Sequence, residues 1–292
     1  MADTKIEWAN NWPTLSGPVP SAKLRILSLG GGVQSTTLYH AADRGEIGPK
    51  PDCAIFADPG WEGKRLEKHI GNLRERGSIP IHIVSAGSIK SEIFTGRSER
   101  SQRFASIPFF VKGPDGKVGM GKRQCTAHYK LEPIKRKVRE LLGVGPRSFV
   151  PPNSVEMWIG ISFDEITRMS PSRVRYIVNR FPLIEADMNR LACERWLAER
   201  QLRASKSACL CCPFRSNAEW RDIRDNEPDE WQDVLRADHA IRHGGSTDAR
   251  RGEQYMHRSA IPLEQVNFDE VETTQQQMMF GPGNECMGLC WS

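Results

Sequence analysis

The stretch Leu24-Arg25-Ile26-Leu27-Ser28-Leu29-Gly30-Gly31-Gly32-Val33-Gln34-Ser35-Thr36-Thr37 decides the fold. Leu24, Ile26 and Leu27 make an apolar run that predicts a buried strand over 25–29. Thr37-Leu38-Tyr39-His40-Ala41-Ala42 predicts a helix over 37–44 that ends near Gly45. A strand, a glycine turn and a helix start rich in hydroxyls together form a phosphate-binding device. Glycines let the backbone approach the anion, and the free N–H groups and dipole of the helix N-terminus favour negative charge. Ser28, Gly30, Gly31, Gly32, Gln34, Ser35 and Thr36 are the candidate nucleotide-binding residues of this segment, and Thr37 can add a further hydrogen bond. The competing reading is an ordinary glycine turn.

Working outward, apolar runs predict strands at 53–57, 79–84 and 155–161, with a helix at 64–76. Strands that alternate with helices point to a doubly wound α/β fold, a parallel sheet covered on both faces. Ligands of such sheets sit at the carboxyl ends of the strands. Residues 30–37, 58–62 and 162–168 all follow strand ends and would gather at one rim. In Asp58-Pro59-Gly60-Trp61-Glu62, Asp58 could bind a ribose hydroxyl, an amino group or Mg2+; the alternative is a turn or N-cap aspartate. The segment Trp158-Ile159-Gly160-Ile161-Ser162-Phe163-Asp164-Glu165-Ile166-Thr167-Arg168 again ends a strand in acids followed by an arginine. Residues 98–122 are polar and rich in Gly, Arg and Lys, and read as a long mobile loop of the kind that is often functional. Beyond about 216 the pattern is helical and charged.

At 292 residues the chain can bury a full core. It contains no apolar run long enough to cross a membrane and no signal-peptide core, so a cytoplasmic protein without a membrane partner is expected. In that compartment eight cysteines invite a metal or redox reading before a disulfide one. The net charge of +5 is unevenly spread: between Lys90 and Glu140 there are thirteen Lys or Arg against five Asp or Glu. A second arginine-rich stretch covers 168–203. Such regions suit a nucleic-acid backbone or a multiply charged nucleotide; the alternative is a solvated surface.

The glycine run lacks the lysine of a Walker loop, and Ser35 stands where a dinucleotide fingerprint has its third glycine. It resembles instead the Ser-Gly-Gly-x-Asp-Ser loop of the PP-loop ATP pyrophosphatases through Gly31, Gly32 and Ser35, with Gly30 for the first serine and Gln34 for the aspartate. Four further segments follow in order: Asp58, Gly60 and Glu62; Cys125 before Lys130 and Pro133; Gly160, Ile161, Asp164, Glu165 and Arg168; and Cys209-x-x-Cys212-Pro213. Over roughly 24–216 the chain is similar to the phosphoadenosine phosphosulfate reductase family, a branch of that superfamily. The resemblance implies a sheet of the adenine nucleotide alpha hydrolase type with a helical, cysteine-bearing C-terminal part. Its divisions are an extension (1–22), a PP-loop domain (23–216) and the helical region with its tail (217–292).

Relatives that reduce adenylyl sulfate hold a four-iron cluster with Cys-Cys and, far downstream, Cys-x-x-Cys. Here Cys125 precedes Cys209 by 84 positions, and Thr126 replaces the second paired cysteine. The resemblance therefore supplies Cys125, Cys209 and Cys212 as ligands of a 4Fe-4S cluster, and an open iron is similar to the sulfur-transferring relatives that modify tRNA or DNA. Zinc competes: Cys209-x-x-Cys212 is followed, after 26 residues, by His239-x-x-x-His243. Simple buried thiols are a third reading. The ending Glu285-Cys286-Met287-Gly288-Leu289-Cys290 resembles the Glu-Cys-Gly-Leu-His terminus that carries the reductases' nucleophile. It makes Cys286 and Cys290 candidate catalytic thiols and Cys290 a candidate fourth ligand.

The expected function is adenylation by ATP, with Mg2+, for sulfur insertion into a nucleic acid, with Asp58 and Arg168 in catalytic roles. A homodimer is one assembly that this reading allows. Two alternatives stand beside it: a sulfonucleotide reductase using Cys286, and a noncatalytic nucleotide-binding module with a structural metal.

Overall fold

The computed structural model describes residues 17–96, 107–242 and 252–270. The chain runs β1 (Leu24–Ser28), α1 (Val33–Asp43), β2 (Cys53–Asp58), α2 (Lys64–Arg76), β3 (Ile81–Ser85), α3 (Ile89–Thr95) and two short strands, β4 (Phe110–Lys112) and β5 (Val118–Met120). A π-helical turn, Thr126–Leu131, leads into α4 (Glu132–Leu141). There follow β6 (Val155–Ile159), β7 (Ile177–Arg180), α5 (Pro182–Glu185), α6 (Arg190–Glu199), α7 (Asn217–Asn226), α8 (Pro228–Ile241) and β8 (Glu253–Tyr255).

The central sheet has the order β3-β2-β1-β6-β7 and every pairing is parallel. The central strand β1 sets Ile26 opposite Cys53 of β2 and Met157 of β6. β6 is buried at all five positions, the pattern expected of a strand covered on both faces, whereas edge strand β3 alternates between buried and open positions. Leu27, Leu38, Leu66, Ile70, Trp158 and Cys193 pack on one face with α1, α2 and α6. Ile26, Ile55, Ile134, Val138, Val155 and Met157 pack on the other with α4. The chain builds outward from β1 through β2 to β3, then returns to β6 on β1's other side. The strand order therefore reverses between β1 and β6, the place where such sheets leave a crevice for ligands.

α1 is unusual for a helix next to a ligand loop because nearly all of it is buried, from Gln34 to Ala42 with only His40 partly open. The sheet, α2 and α6 surround it. In β6, Glu156 is wholly buried. It accepts hydrogen bonds from Val19 N (2.5 Å), Trp158 Nε1 (2.6 Å) and Arg180 Nη1 (3.3 Å).

The expected loop over 98–122 is corrected in its second half. Residues 97–106 lie outside the described part, but β4 pairs antiparallel with both β5 and β8 in a small sheet. Burial of Phe109 and Phe110 anchors this segment, which its polar composition hides. The strand expected at 79–84 begins instead after Pro80, whose carbonyl accepts from Ala54 N at 2.8 Å. α7 starts directly after Ser216, which caps it together with Glu219 in a capping box. A third core joins α7 and α8 to the rest of the chain through Trp61, Tyr129, Leu210, Trp220, Val234 and Phe268. Among the described residues no helix is long and apolar enough to cross a membrane.

Candidate nucleotide and thiol site

The glycine loop follows β1 at the strand-order reversal. The N–H groups of Gly30 and Gly31 donate to Ser35 Oγ at 3.3 and 3.0 Å, so the loop is drawn tight over the first turn of α1. Ser28 closes β1 in a buried position. Gly31 has φ +81°, and a Cβ there would lie 2.4 Å from Leu66 Cδ1. Its glycine is thus required by the backbone and by α2, and any substitution at this position reports on packing as well as on ligand access. Gly31 O also accepts from Ser205 N at 3.2 Å, tying the loop to the segment that leads to the cysteines.

The threonine hydroxyls are satisfied inside the fold. Thr36 Oγ1 meets His69 Nε2 at 2.9 Å, and Thr37 Oγ1 donates to Val33 O at 2.9 Å. Gln34, where the resemblance expects aspartate, works as a cross-link. Its Nε2 donates to Ser162 Oγ and Glu165 Oε2, both at 3.4 Å, and its Oε1 accepts from Arg190 Nη1 at 3.3 Å. Arg168 Nη1 lies 2.6 Å from Glu165 Oε1. Gly160 follows β6 and is buried. The glycine loop and the segment after β6 are therefore joined directly, as their positions after neighbouring strands predicted. Asp58 ends β2, and its Oδ1 accepts from Gly60 N at 2.7 Å, a turn contact that leaves the carboxylate half-buried at the same edge. Burial, then the carboxylates of Asp58, Glu230 and Glu62, push nearby Glu67 above the usual carboxylate range.

Cys125, Cys209, Cys211 and Cys212 line one small chamber of about 30 Å3 with Tyr129 and Lys130. The chain brings them there by two devices. Cys125 immediately precedes the π-helical turn, and the turn at Cys209 is pinned by Leu210 N donating to Trp61 O and by Cys212 N donating to Cys209 O, both at 3.0 Å. Beside them, buried Lys130 Nζ lies 3.3 Å from Glu62 Oε1, and Cys209 Sγ is 3.8 Å from the same oxygen. Glu62 Oε2 is buried without a hydrogen-bond partner. The sequence reading gave Glu62 and Lys130 only as matched positions of the resemblance. Their burial together beside Cys209 is a tertiary fact that neither segment signals by itself.

The thiols and the buried lysine suit a thiolate-held metal in donor chemistry. Among the described residues, however, no three His, Cys, Asp or Glu side chains form a group that could hold a metal ion, and the chamber has room for about one water. Seating a four-iron group requires the turn at Cys209 and the residue Cys125 to move apart. Burial, then Cys212 and Cys125 nearby, raises the Cys211 thiol well above its usual range. His239 is exposed and sits 3.4 Å from Glu264 rather than among the residues lining the chamber. Its expected zinc partner His243 lies outside the described residues, as do Cys286 and Cys290.

Two buried histidines give the fold a definite pH response. Burial, then the nearby His40, lowers His69 from 6.5 to about 4; burial, then Arg258, lowers His257 from 6.5 to about 3. The folded state refuses protons that the unfolded chain accepts. Their contribution is fully present above pH 6.5 and is lost as pH falls toward about 4 and then about 3. Unfolding free energies from urea titrations should therefore drop between neutral and mildly acid pH, by up to about 1.4 kcal/mol per pH unit for each histidine. His257→Asn should flatten that dependence; an unchanged slope would remove His257 as a cause.

A search of protein-family models finds none that matches this chain, and a search of curated proteins finds no match.

Proposed function

We propose that this chain is a PP-loop ATP pyrophosphatase-type enzyme of the phosphoadenosine phosphosulfate reductase-like branch, with a fold of the adenine nucleotide alpha hydrolase type. It adenylates a nucleic acid, tRNA or DNA, for sulfur insertion. The observation that carries this reading is the meeting of two groups. The glycine loop, Asp58 and residues 162–168 share the carboxyl edge of β1, β2 and β6, while Cys125 and the distant pair Cys209 and Cys212 line one chamber next to it.

In this reading an acceptor oxygen attacks the α-phosphorus of ATP and pyrophosphate leaves. The Gly32 N–H and the first amides of α1 receive the departing phosphates, in a loop whose Gly30 and Gly31 N–H groups are held by Ser35 Oγ. Asp58 holds the nucleotide or its Mg2+ from the end of β2. Arg168, oriented by Glu165, stabilises charge that develops on the transferred phosphoryl group. Cys125, Cys209 and Cys212 are the residues that would hold a 4Fe-4S cluster once the chamber opens, and such a cluster would supply sulfur chemistry. Glu62 and Lys130 keep a compensated charge pair against that chamber.

The test is ATP–pyrophosphate exchange with tRNA or DNA present, beside calorimetric ATP binding. Arg168→Ala should slow exchange about a hundredfold while ATP affinity changes little, because the cation acts on charge present mainly in the transition state. Absence of ATP binding would reject the reading. Sulfite release from a sulfonucleotide without exchange would identify a reductase instead.

A further inference from the structure

A second and larger cavity lies on the other side of the segment that carries the cysteines. It is a cleft of about 700 Å3 between α2, residues 203–210 and the first turns of α7. That volume falls within the range of ligand pockets. Leu66, Leu210 and Ile223 give it an apolar floor, and Ala204, Ala208 and Ala218 keep it wide.

The charges around it are sorted. Lys206 pairs with Glu219 (2.5 Å), and Arg65 pairs with Asp222 (2.9 Å) and with Glu227. Glu230, at the Gly63 end, accepts from Lys64 N at 2.6 Å. Every carboxylate of the cleft is thereby engaged. Lys68 and Arg203 are exposed and, among the described residues, form no ion pair. Arg215 is the decisive residue. It is 6% exposed, its charge acts on the Glu219 carboxylate that Lys206 pairs with, and its Nε is buried without a hydrogen bond. Its Nη2 donates to Ala208 O (2.7 Å) and Cys209 O (3.0 Å). A guanidinium that lines the cleft thus also grips the backbone of a chamber cysteine, and Leu210 lines the cleft and lies between two chamber cysteines.

We propose that this cleft docks the phosphate backbone of a nucleic-acid strand. Phosphates lie against Lys68, Arg203 and Arg215, and a base rests on the apolar floor. With every carboxylate of the cleft engaged, Lys68 and Arg203 are left as exposed cations, and that lining complements a polyanionic strand. This inference deepens the nucleic-acid reading above and rests on it for the nature of the ligand.

The experiment uses the full chain and fluorescence anisotropy of a short labelled single-stranded oligonucleotide over a salt series, with ATP binding measured on the same preparations. Lys68→Glu/Arg203→Glu should weaken oligonucleotide binding at least about tenfold and lower the salt slope by about one per cation removed. Both side chains are exposed, so the fold should survive. Lys23→Glu/Arg136→Glu makes the same charge change at the amino-terminal edge of the sheet and on α4, and should leave binding within about twofold.

Equal weakening by both pairs, or no binding at low salt, would overturn the docking site. So would complete displacement of the oligonucleotide by ATP, which would make the cleft a nucleotide pocket. ATP binding without oligonucleotide binding would overturn the cleft and leave the nucleotide reading standing. Oligonucleotide binding that is sensitive at Lys68 and Arg203, without ATP binding, would support the cleft and reject the adenylation reading.

Discussion

Cys125→Ser, Cys209→Ser and Cys212→Ser, each prepared without oxygen, should lack the iron and the brown absorbance that the native chain carries under the proposed reading. The expectation is an all-or-none loss, because a cluster with three protein thiolates has none to spare. Two of the remaining described cysteines separate this from general damage. Cys53 and Cys193 lie in the cores on opposite faces of the sheet. Burial is the first cause that pushes their thiols up, to about 11 and about 12, so they are protonated and inert. Cys53→Ala and Cys193→Ala should keep full iron content. A colourless native chain that holds one zinc per molecule would replace the cluster with a structural site. Iron that survives all three serine variants would move the metal away from the chamber.

The second large effect concerns stability. Glu156→Ala should destabilise the fold by about 3–5 kcal/mol, the usual result of breaking a buried charge network from one side. The carboxylate serves Val19 N–H, Trp158 Nε1–H and Arg180 at once, and no water can replace it at zero exposure. Arg180 keeps Glu185 as a partner at 2.7 Å, but the other two donors lose their only acceptor among the described residues. Glu156→Gln retains an acceptor oxygen and should cost about 1–3 kcal/mol. Urea denaturation measures both. An alanine variant within about 0.5 kcal/mol of the parent would mean that the network contributes nothing net, as buried ion pairs sometimes do.

Much of the sheet was legible because its strands advertise themselves. Cys53-Ala54-Ile55-Phe56-Ala57 and Val155-Glu156-Met157-Trp158-Ile159 are nearly continuous apolar runs, and α2 spans 64–76 as its amphipathic pattern required. β7 was not legible, because Ile177-Val178-Asn179-Arg180 ends in two polar residues whose burial depends on Ser170 O, Gly48 O, Glu156 and Glu185. The small sheet was hidden for another reason. β4, β5 and β8 are three residues each, β5 is exposed throughout, and β4's second partner lies near the end of the described chain.

At the candidate site, the order of motifs set residues 30–37, 58–62 and 162–168 after strand ends, and they follow β1, β2 and β6. It did not reveal that Gln34 is committed to Ser162, Glu165 and Arg190, or that Thr36 is committed to His69, since both depend on residues brought close only by folding. Nor did it find the cleft, whose defining arginine is one of many in a basic chain and is buried, as Arg180 and Arg242 are, only by folding.

The near-complete enclosure of α1 has a consequence for how tightly its glycine loop can hold a ligand. A surface loop must surrender conformational freedom when it closes on an anion, and that loss subtracts from affinity. Here the freedom is already gone: Ser35 fastens two loop amides, Ser205 fastens a third group, and the helix behind them is wedged between sheet and neighbours. The ordering entropy was spent when the chain folded. Under the proposed reading, what the loop gains on contact with ATP is therefore mostly interaction energy, with little ordering left to do.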